Sequence, residues 1–175
     1  MYTILYVLAG LIALLFILSL IAPKNYDVFR KVEIKRPKAE VFNYLKSLKK
    51  MDEWSPWAKK DPNMKKTLIG VDGEVGCISH WIGNKEVGEG EQEIKNIIDG
   101  KRIESELRFL KPFKSTSDCY IDVESLDNGN TEVKWGFSGK YKGPMIIMSL
   151  FKSMDAFVGP DFEEGMASLK EVLEN

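Results

Sequence analysis

The stretch from Met145 to Glu174 constrains the rest of the chain most. Met145, Ile146, Ile147, Met148, Leu150, Phe151, Met154, Phe157 and Val158 precede Gly159-Pro160. After that pair, Phe162, Met166, Leu169 and Leu173 recur at spacings of four, three and four. Such spacing lays one apolar stripe along an α-helix. The pattern predicts a long C-terminal helix, broken or kinked at Gly159-Pro160. Upstream lie short strand-like runs separated by Gly, Asn and Asp turns. A curved antiparallel sheet has one face to cover, and a single long helix can cover it. The expected soluble part is therefore a sheet wrapped around this helix, with any pocket between the two.

The order of elements supports that reading. Tyr26 to Lys35 alternates as a strand, with Val28, Arg30 and Val32 in one row. Pro37 suits the first turn of a helix whose apolar side is Val41, Phe42, Leu45 and Leu48. A second short helix ends at Trp54-Ser55-Pro56-Trp57, because Pro56 biases Ser55 away from helix. Strands are then expected over 66–71, 76–82, 87–98, 102–110, 117–126 and 131–139. The run 102–110 sets Ile103, Ser105, Leu107 and Phe109 against Arg102, Glu104, Glu106 and Arg108, one face dry and one wet. Asp127-Asn128-Gly129-Asn130 is a hairpin signal. Helices do not alternate with strands, so the class is α+β rather than a doubly wound sheet.

Thr3 to Ala22 carries no charged residue. Twenty residues at about 1.5 Å rise span about 30 Å, the hydrocarbon thickness of a bilayer. The competing reading is a cleaved signal peptide. Against it, no Lys or Arg precedes the run, the run is longer than a signal core, and Leu20 and Pro23 flank the best cleavage point poorly. The expectation is a retained single-span anchor over 3–22, with a linker to residue 25 and a folded domain over 26–175. Lys24, Arg30, Lys31, Lys35 and Arg36 follow the span, which puts the domain in the cytoplasm by the positive-inside rule.

With 175 residues there is room for one domain plus this appendage. A formal net charge of −1 lacks the basic surplus that a general nucleic-acid binder needs. The two cysteines, Cys77 and Cys119, form no disulfide framework and read as small buried side chains.

Several clusters resemble the SRPBCC superfamily, which includes START-like lipid-transfer domains, the birch pollen allergen type and the polyketide cyclase/dehydratase-like group. They are Val32-x-Ile34-x-x-Pro37 with Val41-Phe42, Trp54-Ser55-Pro56-Trp57, Gly73-x-x-Gly76, Trp81-x-Gly83, Gly88-x-Gly90, Leu107-x-Phe109, Thr131-x-Val133-x-Trp135 and Gly159-Pro160-Asp161-Phe162-Glu163-x-Gly165 followed by Leu169-Lys170. The resemblance covers about Tyr26 to Glu174, and an apolar leader before such a domain is similar to some bacterial members. It implies a helix-grip fold, in which a bent sheet grips the C-terminal helix around an apolar cavity that takes lipids or other apolar molecules. Only a minority of such proteins are catalysts.

Chemistry-bearing residues are sparse. His80 is the only histidine and, with Trp81 turned inward, faces outward, so no two-histidine mechanism or metal centre is available. No cysteine pair has ligand spacing. Gly88-x-Gly90 lacks the third glycine of a dinucleotide fingerprint and reads as a close approach within a strand. Glu89, Glu91 and Glu93 form a row of period two, read as a solvated face with Gly90, Gln92 and Ile94 inward. The candidates for a cavity wall are Trp54, Trp57, Trp81, Gln92, Phe109, Trp135, Met148 and Phe151, large apolar groups with one amide set among them. No cofactor is called for. The expected function is binding of an apolar small molecule or lipid by a membrane-anchored domain. The alternatives are a cyclase or dehydratase, and a protein-interaction module with a filled core.

Overall fold

A computed structural model describes residues 2–175. Helix α1 (Tyr2–Ile21) is followed by β1 (Asn25–Ile34), α2 (Lys38–Leu45), a 3-10 turn (Lys50–Glu53) and α3 (Pro56–Lys60). Strands β2 (Lys65–Ile69), β3 (Ile78–Ile82), β4 (Glu89–Ile98), β5 (Arg102–Lys111), β6 (Ser115–Ser125) and β7 (Thr131–Lys140) come next. Helices α4 (Met145–Met148) and α5 (Met154–Glu174) close the chain. The strands form one antiparallel sheet in the order β1-β7-β6-β5-β4-β3-β2. It is a curved sheet gripping a long C-terminal helix, the helix-grip architecture.

Period-two alternation explains the sheet's two faces. Val28, Ile34, Val133, Trp135, Phe137, Cys119, Ile121, Ile103 and Ile94 point to the concave side and are buried there with Phe162, Met166, Leu169 and Leu173 of α5. Helix α5 lies chiefly along β1, and α2 caps the region over β6. The wing formed by β2 to β5 therefore curves away from the helix. Register irregularities at Glu89/Gly90 and Ile94/Asn96 lie in that wing, where an extra residue bends and twists a strand.

The C-terminal stretch departs from expectation in one respect. The break falls between α4 and α5, over 149–153, and Gly159-Pro160 lies inside a continuous helix. Ser153 starts α5 by accepting the Ala156 amide on its hydroxyl at 3.2 Å. Pro160 is exposed and removes one intrahelical bond without ending the helix.

Candidate functional site

The concave side divides into a packed part and an open part, open in the sense that its apolar side chains are half-buried. In the packed part, Trp135 stacks on Phe162 with ring centroids 4.1 Å apart. Trp54 meets Trp135 edge-on at 4.8 Å and is 1% exposed. The motif around Gly159 builds this packing. A side chain at Gly165 would run into the Trp135 ring, and one at Gly159 into the Arg30 guanidinium. Arg30 donates from Nε to Glu163 at 2.8 Å and from Nη1 to Asp155 at 2.7 Å, and Lys60 pairs with Asp161 at 2.7 Å. The Gly159 to Gly165 cluster is thus a clamp holding α5 to β1 and α3.

Trp54 and Trp135, expected on a cavity wall, belong to this core. The partly open void beside Trp135 measures about 10 Å³, lined in part by Gln92, Ser105, Cys119 and Trp135. That is room for about one water molecule. Met148 and Phe151 are corrected outright: they are 53% and 83% exposed. The helix break before Ser153 takes α4 and its following turn off the helix that covers the sheet, so their side chains leave the concave side.

The open part lies on the wing. Leu68, Leu107 and Phe109 of the wing are partly buried against the core, as are Trp57, Met154 and Val158 from the helices, and Trp81 is half-buried beside Phe109. Trp81 and Phe109 meet edge-on at 6.3 Å. The Trp81 ring lies across Gly90, where any Cβ would collide with it, so Gly90 is the close approach its sequence context predicts. The Trp81 Nε1–H is buried and donates to no atom among the described residues. Near the same end, the Tyr26 hydroxyl meets Ser117 Oγ at 2.9 Å. Burial pushes the Tyr26 phenol up, partly countered by that hydrogen bond, so it stays neutral at physiological pH. Tyr26, Ser117 and Arg30 were not among the candidate site residues. Arg30 was legible only as a charge in an otherwise apolar strand row.

The outer face carries ion pairs. Arg108 contacts Glu91, Glu93 and Glu106 at 3.0, 2.7 and 2.5 Å, and Lys111 contacts Glu89 at 2.6 Å. These bonds hold the Glu93 and Glu89 carboxyls below their ordinary values, through Arg108 and Lys111 respectively. His80 sits beside them, Nε2 3.6 Å from Glu89. Among the described residues, no group of three or more His, Cys, Asp or Glu is placed to hold a metal ion. Cys77 and Cys119 are buried free thiols, and burial pushes Cys119 up to about 12.

No protein-family model matches the chain, and no curated protein matches it. Solved structures share its fold. A Thermobifida fusca protein is similar over 84% of this chain and 92% of its own, at 18% identity and TM-score 0.61. The Aha1 dimer from Colwellia psychrerythraea is similar over 85% and 96%, at 14% identity and TM-score 0.57. Ara h 8.0201 is similar over 84% and 99%, at 13% identity and TM-score 0.54. At such identities the likeness establishes the architecture: this chain has a helix-grip fold with an apolar helix at its N-terminus.

Proposed function

We propose that the chain is a membrane-anchored domain of the SRPBCC type that holds an apolar small molecule or lipid chain in the concave groove of its wing. In this reading residues 1–25 are anchor and linker and 26–175 the binding domain, facing the cytoplasm. The observation that carries the proposal is the divided concave side. Trp81, Leu107 and Phe109 lie on strands outside the main contacts of α5 and are half-buried, so part of their apolar surface stays in water. Covering such surface is worth about 25 cal/mol per Å² to whatever covers it. Tyr26 and Ser117, and the unpartnered Trp81 indole N–H, are the polar groups that would orient a ligand's head.

The small size of the void beside Trp135 favours a second reading, an interaction module with a filled core, in which the groove meets a protein rather than a lipid. A cyclase or dehydratase needs an acid or base in the groove. The carboxylates of β4 do not supply one, since they pair with Arg108 and Lys111 on the outer face.

Native mass spectrometry with lipid extraction, on the full chain in mild detergent, tests the proposal. A stoichiometric co-purifying lipid or apolar metabolite is the expected result. An empty protein that also takes up no fluorescent fatty-acid or sterol probe would overturn ligand binding and leave the interaction module. The intact mass reports whether the first twenty-two residues are retained.

A further inference from the structure

One end of the sheet gathers exposed aromatics and lysines beside the exit of α1. Strand register places the β5–β6 turn at the same end as the start of β1 and the end of β7. Phe113 in that turn is 84% exposed, and Phe151, after α4, is 83% exposed. Met145 and Met148 of α4 are exposed as well. Lys24, Lys114, Lys140, Lys142 and Lys152 are exposed around them. None of these five takes part in an ion pair among the described residues. The nearby carboxylates Glu89 and Asp155 are taken by Lys111 and Arg30, and Asp27 accepts from Tyr120. Exposed acids are present as well: Asp27 and Asp155 with those partners, Glu86 beside Lys60 at 3.8 Å, and Asp118 farther along β6.

This end is fixed to α1. The Tyr141 amide donates to the Lys24 carbonyl at 2.9 Å, and the Tyr141 hydroxyl accepts the Met154 amide at 2.8 Å. The last turn of α1 packs on α4, half-burying Leu18 and Ser19 and burying Ala22. With only Ala22, Pro23 and Lys24 between α1 and β1, a helix spanning a bilayer would hold this end of the domain near the membrane surface.

We propose that this end docks on an anionic phospholipid surface, with Phe113 and Phe151 entering the interface and the five lysines meeting headgroups. Aromatic rings sit well at the headgroup level, and a cluster of juxtamembrane lysines is drawn to anionic lipid within a Debye length. Docking rests on the reading of α1 as an anchor. It also gives the groove a direction, because Trp81, Phe109 and Tyr26 lie in the rungs nearest this end.

Hydrogen–deuterium exchange of the full chain tests it, in nanodiscs of phosphatidylcholine alone and of phosphatidylcholine with phosphatidylserine. Slower exchange over 111–115 and 142–152 in the serine-containing discs is expected, and F113E/F151E is expected to abolish that difference. Both positions are exposed, so the variant keeps its core. Equal exchange in the two discs while 2–21 stays protected would overturn docking and leave the anchor standing. A difference that survives F113E/F151E would also overturn it. Free exchange of 2–21 in both discs would overturn the anchor, and docking with it.

Discussion

The guanidinium of Arg30 occupies the space into which any side chain at Gly159 would have to grow. Arg30 comes from the first strand and reaches Asp155 and Glu163 by passing over this glycine. Elsewhere in a helix, Gly to Ala would stabilise by up to about 1 kcal/mol. Here Gly159→Ala is expected to lower Tm, because the new methyl displaces the guanidinium from both carboxylates. In an Arg30→Ala background the same change should raise Tm. Thermal unfolding of the four proteins of this cycle checks the sign reversal, and destabilisation by Gly159→Ala in both backgrounds would refute the assignment.

The same clamp gives stability an acid limit. Arg30 holds the Asp155 carboxyl below its usual range, chiefly through their hydrogen bond. A lowered folded-state value means that the stabilisation is complete above the unfolded pKa, about 3.9, and disappears as pH falls through the folded value. The stability gap between the native protein and Arg30→Ala should be constant near neutrality and shrink below about pH 4. Denaturant titrations across that range measure it. A gap independent of pH would assign Arg30 a packing role instead.

Arg30 also marks where the sequence stops being informative. Its place in the row with Val28 and Val32 follows from alternation alone. Its partners lie 125 and 133 residues away, and no local pattern announces them. The strands were legible for the complementary reason: Ile103, Ser105, Leu107 and Phe109 alternate with charged neighbours, and the hairpins carry their own turn residues. The helix break was misplaced because Gly159-Pro160 looks like a stop signal. Its glycine serves a crossing side chain, and its proline sits on the exposed face. Ser153, whose hydroxyl starts α5, was the signal that would have found the true break. That one shift carried Met148 and Phe151 to the wrong side of the sheet. Void volume depends on how the aromatics nest, and composition does not report it.

Trp135 and Trp57 separate core from groove. Trp135 is 5% exposed and stacked on Phe162, so Trp135→Ala should destabilise by about 3–5 kcal/mol. Trp57 is half-buried at the edge of the core, 5.8 Å edge-on to Trp135. Trp57→Ala should weaken retention of an apolar fluorescent probe more than it lowers Tm. Probe titration beside thermal unfolding gives both values, and the opposite order would make Trp57 a core residue.

Trp81 should respond in the other direction. Its buried indole N–H has no acceptor among the described residues, and an unsatisfied buried donor costs about 1–3 kcal/mol. Trp81→Phe removes that cost along with part of the ring packing. Its net effect on stability should stay within about 1 kcal/mol. If the N–H serves a ligand's carbonyl, the variant should bind ester-bearing probes more weakly and hydrocarbon probes unchanged. Equal loss for both probe types would leave the indole a packing group.

Removing residues 1–22 probes how far the domain stands alone. Helix α1 touches the remainder through its last turn on α4, and the core is drawn entirely from residues C-terminal to it. The cost is therefore confined to the cover over α4 and the space vacated by Ala22, and the truncated chain should unfold cooperatively with its near-ultraviolet signal intact. It should also lose its need for detergent, because the uncharged twenty-residue surface has gone. A truncated chain that aggregates would mean that α1 protects Met145 and Met148 as well as anchoring. Adding Met148→Lys to the truncation tells these apart: recovery of solubility would place the fault on that exposed surface, whereas continued aggregation would place it in the fold itself.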